Sequence, residues 1–279
     1  MTTPLGSLLV PAHDEASVIT RCLETVLRDF APDELEVVVA CNGCTDATAS
    51  LARAVAPHAR VLDLPEPSKP SALRAAERLV TALPRLYLDA DVLLPSASAR
   101  AVLERLRSGD VLAARPPIAY DTTSSSAAVR RYYRARTGTA AVMGSLWGAG
   151  VYGLSAAGRE RFTEFPDVVA EDLFVDQLFG PDEIAVVDCA PVVVNVPHTS
   201  RDLVRILRRT YRGKSQMVSA GNAAQTAGGT MADLGAYARQ DLRSAADAAV
   251  YAAFAVAGRW QGRPGATVVW ERDESSRVG

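Results

Sequence analysis

Residues 85–91 read RLYLDAD, a short apolar run that ends in two aspartates. We predict that Arg85 to Leu88 forms a buried strand, with Asp89 and Asp91 projecting from its carboxyl end. Open α/β sheets bind their ligands in the crevice outside the carboxyl ends of their strands. Carboxylate oxygens there are hard ligands for Mg²⁺ or Mn²⁺, which in turn hold diphosphate oxygens. The same aspartates would also suit a turn in which they bond the local backbone.

The sequence before this run alternates short apolar segments with segments of helical periodicity. It predicts three further strands, at Ser7 to Val10, Leu35 to Ala40 and Arg60 to Leu64. The helices predicted between the strands cover residues 17–28, 45–55 and 71–81. This alternation is typical of a parallel sheet flanked by helices. We therefore predict a Rossmann-like nucleotide-binding unit in the first part of the chain.

The second half of the chain is less regular. We predict strands at Val111 to Ile118 and within Ala185 to Val196, a helix at Ala127 to Arg136, and a glycine-rich extended segment at Gly144 to Ser155. A basic helix at Arg201 to Arg212, a mobile loop at Ser219 to Thr230 and a helix at Ala232 to Trp260 are expected to follow. We expect the loop to close over a bound ligand, as lids do.

Composition and charge exclude several classes of protein. Of the 279 residues 48% are hydrophobic, and 30 Lys+Arg against 32 Asp+Glu give a net charge of −2, so no basic field for nucleic acid is expected. The apolar runs Leu8 to Val10 and Ala248 to Gly258 are too short for a signal sequence and for a membrane span of about 20 residues. Four cysteines do not resemble a secreted disulfide framework. We expect a cytoplasmic enzyme.

Six other motifs accompany the aspartate pair. They are VPAHDE (10–15), CNGCTDAT (41–48), KPSALR (69–74), WGAG (147–150) with AED (170–172), and RILRRTYRG (205–213). In this order the set resembles family 2 glycosyltransferases of the GT-A fold, over roughly residues 5–215. The resemblance implies a mostly parallel α/β sheet flanked by helices. It also implies a catalytic domain at 1–215, with a nucleotide-sugar half (1–95) and an acceptor half (96–215), followed by a mobile loop and a helical C-terminal extension at 216–279.

The resemblance also assigns roles to residues. The donor nucleotide is expected to contact Pro11, Ala12, His13, Glu15, Asn42, Lys69 and Asp89, with Asn42 at the position that reads the base. The metal, Mg²⁺ or Mn²⁺, is assigned to Asp91, with His198 either a second candidate or a loop histidine bonded within the protein. The diphosphate is assigned to Arg208, Arg209 and Arg212. Trp147, Gly148, Gly150 and Glu171 are expected on the acceptor side, and Asp172 is expected to be the general base.

The chemistry of an inverting transfer fits these roles. One carboxylate must take the proton of the acceptor hydroxyl as that hydroxyl attacks the anomeric carbon, which is the role assigned to Asp172. Cations must neutralise the departing nucleoside diphosphate, as the metal and the arginines would. The alternative for Glu171 and Asp172 is a structural role, as an acidic pair that stabilises the first turn of a helix.

Asn42 and the arginine segment refine the expected reaction. The amide of Asn42 offers one donor and one acceptor, which complement the N3–H and O4 of uracil or thymine, so UDP- or dTDP-sugars are favoured. The arginine segment lacks the Gln-x-x-Arg-Trp pattern of processive polysaccharide synthases. Transfer of a single sugar to a hydroxyl-bearing small molecule, glycan or lipid-linked acceptor is therefore expected.

Two alternatives and two kinds of association remain open. A nucleotidylyltransferase on a related sheet would need a glycine- and lysine-rich loop after the first strand, and the segment 11–15 is not such a loop. A nucleotide-sugar-binding protein without activity would have no need to keep Asp91, Asp172 and the arginines together. The apolar run 248–258 with Trp260 suggests a homodimer contact or a peripheral contact with the inner membrane surface.

Overall fold

The structure is a computed structural model that describes residues 3–168, 170–219 and 226–261. Within these ranges the side chains of residues 209, 212–219, 226–229 and 261 are not described. Contacts divide the chain into two compact units. The first unit comprises 1–119 and 146–193, and the second comprises 120–145 and 194–279. The predicted division into a nucleotide-sugar half, an acceptor half and an extension from residue 216 is a division by function. The two compact units do not test it, and it stays a prediction.

The first unit is built on a seven-stranded sheet. Its strands are β1 (Gly6–Ala12), β2 (Leu35–Asn42), β3 (Arg60–Leu64), β4 (Arg85–Leu88), β5 (Ala113–Arg115), β7 (Val151–Leu154) and β8 (Ile184–Val186). They lie in the order β3-β2-β1-β4-β7-β5-β8. The first four in sequence are mutually parallel, and β7 runs antiparallel to both β4 and β5. A mostly parallel sheet flanked by helices confirms the predicted fold class.

The central strand shows why the apolar runs predict this sheet. All seven residues of β1 are buried, with Leu8, Leu9 and Val10 fully enclosed. A strand covered on both faces reads as a continuous apolar run rather than as alternation. Its neighbour β4 contributes Tyr87 to the same core, and β2 contributes Val38.

Helices occupy much of the remaining chain. In chain order they are α1 (Ile19–Leu27), α2 (Thr48–Val55), α3 (Lys69–Glu77), α4 (Ser96–Arg107), α5 (Ala127–Thr137), α6 (Ala140–Met143), α7 (Ala156–Arg159), α8 (Glu171–Asp176), α9 (Ser200–Ser219), α10 (Thr226–Ala238) and α11 (Leu242–Gln261). Ser68 sets the start of α3, because its Oγ accepts the N–H of Ser71 at 3.3 Å and Pro70 occupies the first turn. Lys69 therefore opens this helix two residues earlier than predicted.

The second unit contains α5, α6, α9, α10 and α11. Its apolar core includes Tyr132 of α5, whose ring stacks on Tyr251 of α11 with centroids 4.8 Å apart. The buried Asp247 of α11 accepts two hydrogen bonds from the guanidinium of Arg134, at 2.7 and 2.8 Å. This bidentate pair fixes α11 against α5 within the unit.

The predicted strand Val111 to Ile118 is wrong, because the chain forms two strands there. Pro116 and Pro117 lie between β5 and β6 (Ile118–Asp121), and neither can donate a hydrogen bond to a sheet. β6 pairs instead with β9 (Val192–Asn195) in a separate two-stranded sheet.

Two predictions for the C-terminal part are also corrected. The expected loop Ser219 to Thr230 is not a continuous loop, because Ser219 ends α9 and Thr226 to Thr230 begins α10, while residues 220–225 lie outside the described residues. The expected helix Ala232 to Trp260 is two helices. Asp241 starts the second, since its Oδ1 accepts the N–H of Ser244 at 2.7 Å in the manner of an N-cap. No helix among the described residues is long and apolar enough to cross a bilayer.

Candidate active site

The turn after β4 carries the aspartate pair at the carboxyl end of the sheet. The N–H of Asp89 donates to the carbonyl of Gly150 at 2.8 Å, and the N–H of Val92 donates to the carbonyl of Asp89 at 3.1 Å. Ala90 is buried between the two aspartates, whereas Asp91 is exposed. The turn thus fixes the direction of Asp89 and presents Asp91 at the rim.

The segment that follows Trp147 passes close against this turn. Gly148 and Gly150 have φ angles of +81° and +65°, in the region that favours glycine. A Cβ on Gly150 would lie 2.5 Å from Cγ2 of Val92 and 3.3 Å from Oδ2 of Asp89. Only glycine allows so close an approach. The prediction that Gly144 to Ser155 is extended holds only for β7, because most of the segment consists of turns.

Lys69 joins two carboxylates from distant parts of the first unit. Its Nζ lies 2.6 Å from Oδ1 of Asp89 and 2.5 Å from Oε1 of Glu171. Burial favours the neutral amine, but the charges of Asp89 and Glu171 outweigh it and raise the pKa of Lys69 above its ordinary value. The ammonium therefore stays charged, and its position ties the turn after β4 to the start of α8.

Glu171 and Asp172 both begin α8, but their surroundings differ. The side chain of Glu171 is only 4% exposed, and this burial raises the pKa of its carboxyl although the charge of Lys69 opposes the rise. Asp172 is half-buried, and its Oδ2 accepts the N–H of Gly148 at 3.0 Å while its Oδ1 accepts the N–H of Leu173 at 2.8 Å. Glu171 is thus held in an ion pair, whereas Asp172 is oriented by two backbone donors.

These side chains line one small pocket in the first unit. Its polar wall is formed by Lys69, Asp89, Tyr152, Glu171 and Asp172, with Gly150 beside them. The structure thus brings together residues predicted from four separate motifs. Sequence reasoning missed Tyr152. A signal was available, since Tyr152 is a polar-tipped residue in an apolar strand between two glycines, Gly150 and Gly153.

The other five residues predicted to contact the donor nucleotide, Pro11, Ala12, His13, Glu15 and Asn42, lie at and after the ends of β1 and β2. Pro11 and Ala12 are buried in β1. His13 Nδ1 lies 2.6 Å from the carbonyl oxygen of Asn42. The backbone N–H of Glu15 donates to Thr48 Oγ1 at 2.7 Å. The two loops are therefore bonded to each other at the carboxyl edge of the sheet.

The structure bonds the side chain of Asn42 to neighbouring loops. The residue is 1% exposed, and its Nδ2 donates to the carbonyls of Ala12 at 2.8 Å and Ala40 at 3.4 Å. Its Oδ1 accepts the N–H of Ser68 at 3.0 Å. Both donor hydrogens of the amide are thus used within the protein. Asn42 therefore holds the loops together, and its expected contact with the base, with the preference for UDP or dTDP, stays a prediction.

The donor set at Asp91 fits a divalent cation that also binds substrate. Among the residues that the structure describes, the one group of three ligand-type side chains within 4.8 Å of one another is Asp14, Cys44 and Asp46, which does not include Asp91. A cation at Asp91 would therefore take ligands from water and diphosphate. Mg²⁺ and Mn²⁺ sites of this kind use one or two carboxylates plus phosphate oxygens. Asp91 is exposed, which leaves room for such ligands, and Asp89 is its nearest acidic neighbour in sequence.

The residues predicted to bind the metal or the diphosphate besides Asp91 belong to the second unit, whereas Trp147 belongs to the first. His198 is exposed, and its carbonyl accepts the N–H of Ser126 at 2.8 Å. Arg208 is a half-buried residue of α9. Arg209 and Arg212 lie in the same helix, and their side chains lie outside the described residues. Their assignment to the diphosphate, and that of His198 to the metal, stay predictions.

The chain is similar to a known protein family over more than half of its length. A family model described as glycosyl transferase family 2 matches residues 7–159, which is more than half of the chain. No curated protein sequence matches the chain.

Several solved structures share the fold. A mannosyltransferase from Pyrobaculum calidifontis in complex with GDP-Man and Mn²⁺ has a TM-score of 0.65 at 20% identity, over 94% of this chain and 88% of that one. Glucosyl-3-phosphoglycerate synthase from Mycobacterium tuberculosis, in complex with Mn²⁺, UDP and glucosyl-3-phosphoglycerate, has a TM-score of 0.53 at 20% identity, over 78% and 81%. Residues 1–349 of TarS from S. aureus give 0.51 at 16% identity, over 72% and 63%. At these identities the likeness shows a common fold.

Proposed function

The chain belongs to glycosyl transferase family 2, and we propose that it moves one sugar from a nucleoside-diphosphate sugar to an acceptor hydroxyl with inversion. The observation that carries the proposal is the pocket in which Asp172 of α8 and Asp89 of the turn after β4 face a common space. Donor diphosphate at Asp91 and acceptor hydroxyl at Asp172 would place the anomeric carbon between the two.

Asp172 is the general base in this proposal. Its carboxylate is half-buried on the pocket wall and held by the N–H groups of Gly148 and Leu173. Each oxygen accepts one backbone hydrogen bond and keeps a lone pair for the proton of the acceptor. Glu171 is a poorer candidate because its side chain is only 4% exposed and pairs with Lys69. Proton removal by one positioned carboxylate contributes about 10²–10⁴-fold to a rate.

Lys69 is a positioning residue in this proposal. Its ammonium neutralises Glu171 and Asp89 while leaving Asp172, which it does not pair with, to act on the acceptor. Lys69 is also proposed to bind the donor nucleotide. Its ammonium has three donor hydrogens, and because two of them are directed at carboxylates, the third can donate to the nucleotide.

Asp91, with Asp89 beside it, would hold Mg²⁺ or Mn²⁺. When bound, the cation would neutralise charge on the departing diphosphate. Support comes from the oxygen donors of the turn and from the two similar folds that hold Mn²⁺ with GDP-Man or with UDP. Arg208, Arg209 and Arg212 stay proposed as diphosphate-binding residues, and Trp147 with the glycines 148 and 150 is proposed to border the acceptor.

A panel of nucleotide sugars tests the proposal. The full chain is incubated with UDP-, dTDP- and GDP-sugars, with Mn²⁺ and with EDTA, and slow hydrolysis to free sugar is measured. We expect metal-dependent hydrolysis of one donor class, and the panel also tests the preference for UDP or dTDP suggested by the sequence. Binding of a donor without hydrolysis or transfer would favour a nucleotide-sugar-binding protein. Release of pyrophosphate from a nucleoside triphosphate and a sugar phosphate would favour a nucleotidylyltransferase.

Localisation in the cytoplasm and an association through α11 are proposed as well. Val256 and Trp260 of that helix are 60% and 79% exposed, which supports a contact with a second copy of the chain or with the inner membrane surface. Sedimentation at two protein concentrations tests the dimer, and flotation with anionic vesicles tests the membrane contact.

A further inference from the structure

Tyr152 places a buried hydroxyl on the wall of the pocket. The residue is 3% exposed, and among the described residues its Oη has no hydrogen-bond partner. Most buried side-chain polar atoms in proteins have a hydrogen-bond partner, and a hydroxyl left without one is costly. The hydroxyl therefore requires a partner that is not part of the described protein.

The neighbouring tyrosine makes the contrast clear. Tyr87 of β4 and Tyr152 of β7 are paired in register, and their rings stack with centroids 4.8 Å apart. The hydroxyl of Tyr87 donates to Oε1 of Glu77 at 2.5 Å. The two side chains are similarly buried members of one stack, yet only Tyr87 has its hydrogen bond within the described protein.

The charges around Tyr152 define what its partner must be. Burial raises the pKa of its hydroxyl, and the nearby charges of Glu171 and Asp172 raise it further, so the group is an O–H donor. The same carboxylates also line the pocket, where they are acceptors. A group between them must accept from Tyr152 and donate to a carboxylate, and a hydroxyl does both.

We propose that Tyr152 Oη donates a hydrogen bond to a hydroxyl of the sugar that is transferred, and thereby contributes to the choice of donor sugar. The proposal rests on the proposed function. The sugar is favoured over the acceptor because its ring must lie between the diphosphate at Asp91 and the base Asp172, and the pocket borders both Asp89 and Asp172. The pocket is small, with a volume of about 10 Å³, so it has room for a single hydroxyl rather than for the ring itself.

Two matched variants test the proposal in the full chain. Tyr152→Phe and Tyr87→Phe each remove one hydroxyl from the same stack. Calorimetry with Mn²⁺ measures the affinity for the nucleoside diphosphate and for the nucleotide sugar that the wild type hydrolyses best. For Tyr152→Phe we expect about a fivefold to tenfold weaker affinity for the nucleotide sugar, unchanged affinity for the nucleoside diphosphate and an unchanged or higher Tm. For Tyr87→Phe we expect a lower Tm and an unchanged ratio of the two affinities.

Monodeoxy derivatives of that nucleotide sugar identify the bonded hydroxyl. One of them should bind the wild type and Tyr152→Phe equally, since either change removes the same hydrogen bond. Equal affinity of wild type and Tyr152→Phe for the intact nucleotide sugar would mean that the hydroxyl bonds only water, and would overturn the proposal. An equal loss for diphosphate and nucleotide sugar would also overturn it. If the wild type binds nucleoside diphosphate but no nucleotide sugar, the proposed function fails first and this inference fails with it.

Discussion

Replacing Lys69 by methionine should expose how strongly the pocket depends on one ammonium. The change keeps an unbranched side chain of similar length and removes the charge between Glu171 and Asp89. Glu171, whose side chain is 4% exposed, would then be a buried carboxyl without its ion pair. Breaking a buried pair by removing one partner costs about 3–5 kcal/mol. Because the side chains of Lys69 and Asp89 are 18% and 38% exposed, we expect the lower end, about 3 kcal/mol.

The loss should also depend on pH. Burial already raises the pKa of Glu171 in the wild type, and without the opposing ammonium this pKa should lie still further above its unfolded value of about 4.3. The folded state then binds more protons than the unfolded state, so the free energy of unfolding decreases as pH rises above about 4.3. We therefore expect Lys69→Met to be less stable relative to wild type at pH 8 than at pH 5.

Urea denaturation at both pH values provides the measurement, and Glu171→Gln closes a double-mutant cycle. The double variant lacks both buried charges and should be at least about 1 kcal/mol more stable than the sum of the single changes predicts. A loss below about 1 kcal/mol for Lys69→Met, or strict additivity in the cycle, would show that the ion pair does not hold the site together.

Three further changes test other parts of the site and fold. Gly150→Ala should lower the free energy of unfolding by more than Gly109→Ala in thermal denaturation. Both glycines have a positive φ, but only at Gly150 would a Cβ lie 2.5 Å from Cγ2 of Val92. Equal losses for the two variants would contradict the close packing at Gly150. Partial burial raises the pKa of Glu36, but hydrogen bonds from Ala82 and Thr81 lower it overall, so wild-type stability should fall as pH decreases below about 4.3. Glu36→Gln should reduce that decrease in urea titrations at pH 3 and 6, and an identical pH profile would refute the assignment. Asp91→Ala should abolish Mn²⁺-dependent binding of nucleoside diphosphate in calorimetry while leaving Tm unchanged, and wild-type binding would remove Asp91 from the metal site.

The parallel half of the sheet could be predicted because its strands carry their own signal. A strand buried on both faces is a continuous apolar run, as in β1, and helical periodicity separates it from the next. The interruptions were harder to predict. Pro116 and Pro117 end β5 by removing two backbone donors, and Asp241 starts α11 by capping it, which a search for apolar periodicity does not detect.

Site residues that belong to a recognisable motif could be predicted from the sequence. Residues whose role depends on a tertiary contact could not. Asp89 and Asp91 directly follow an apolar run, and this position in the sequence is enough to place both at the end of β4. Asn42 stands in the position of a base-reading residue, but its amide is taken up by the carbonyl of Ala12 and the N–H of Ser68, which are distant in sequence. The bridge that Lys69 makes between Asp89 and Glu171 is likewise a tertiary contact, and Tyr152 belongs to no motif.

Asp172→Asn tests the central claim most directly, with Asp176→Asn as its control. Asn at 172 would face one of the two N–H donors, of Gly148 or Leu173, with an NH₂ group, so Tm is measured alongside activity. Asp176 lies in the same helix and accepts the N–H of Leu146 at 2.6 Å, so its replacement carries a similar structural cost.

The decisive measurement is the rate of sugar transfer or donor hydrolysis at saturating donor, with the anomeric configuration of the product followed by NMR. We expect Asp172→Asn to bind nucleoside diphosphate as wild type does and to react at least about a hundredfold more slowly, while Asp176→Asn loses stability but keeps its rate. The wild-type product should have the inverted configuration. A near-wild-type rate for Asp172→Asn, or a product with retained configuration, would contradict a single displacement assisted by Asp172.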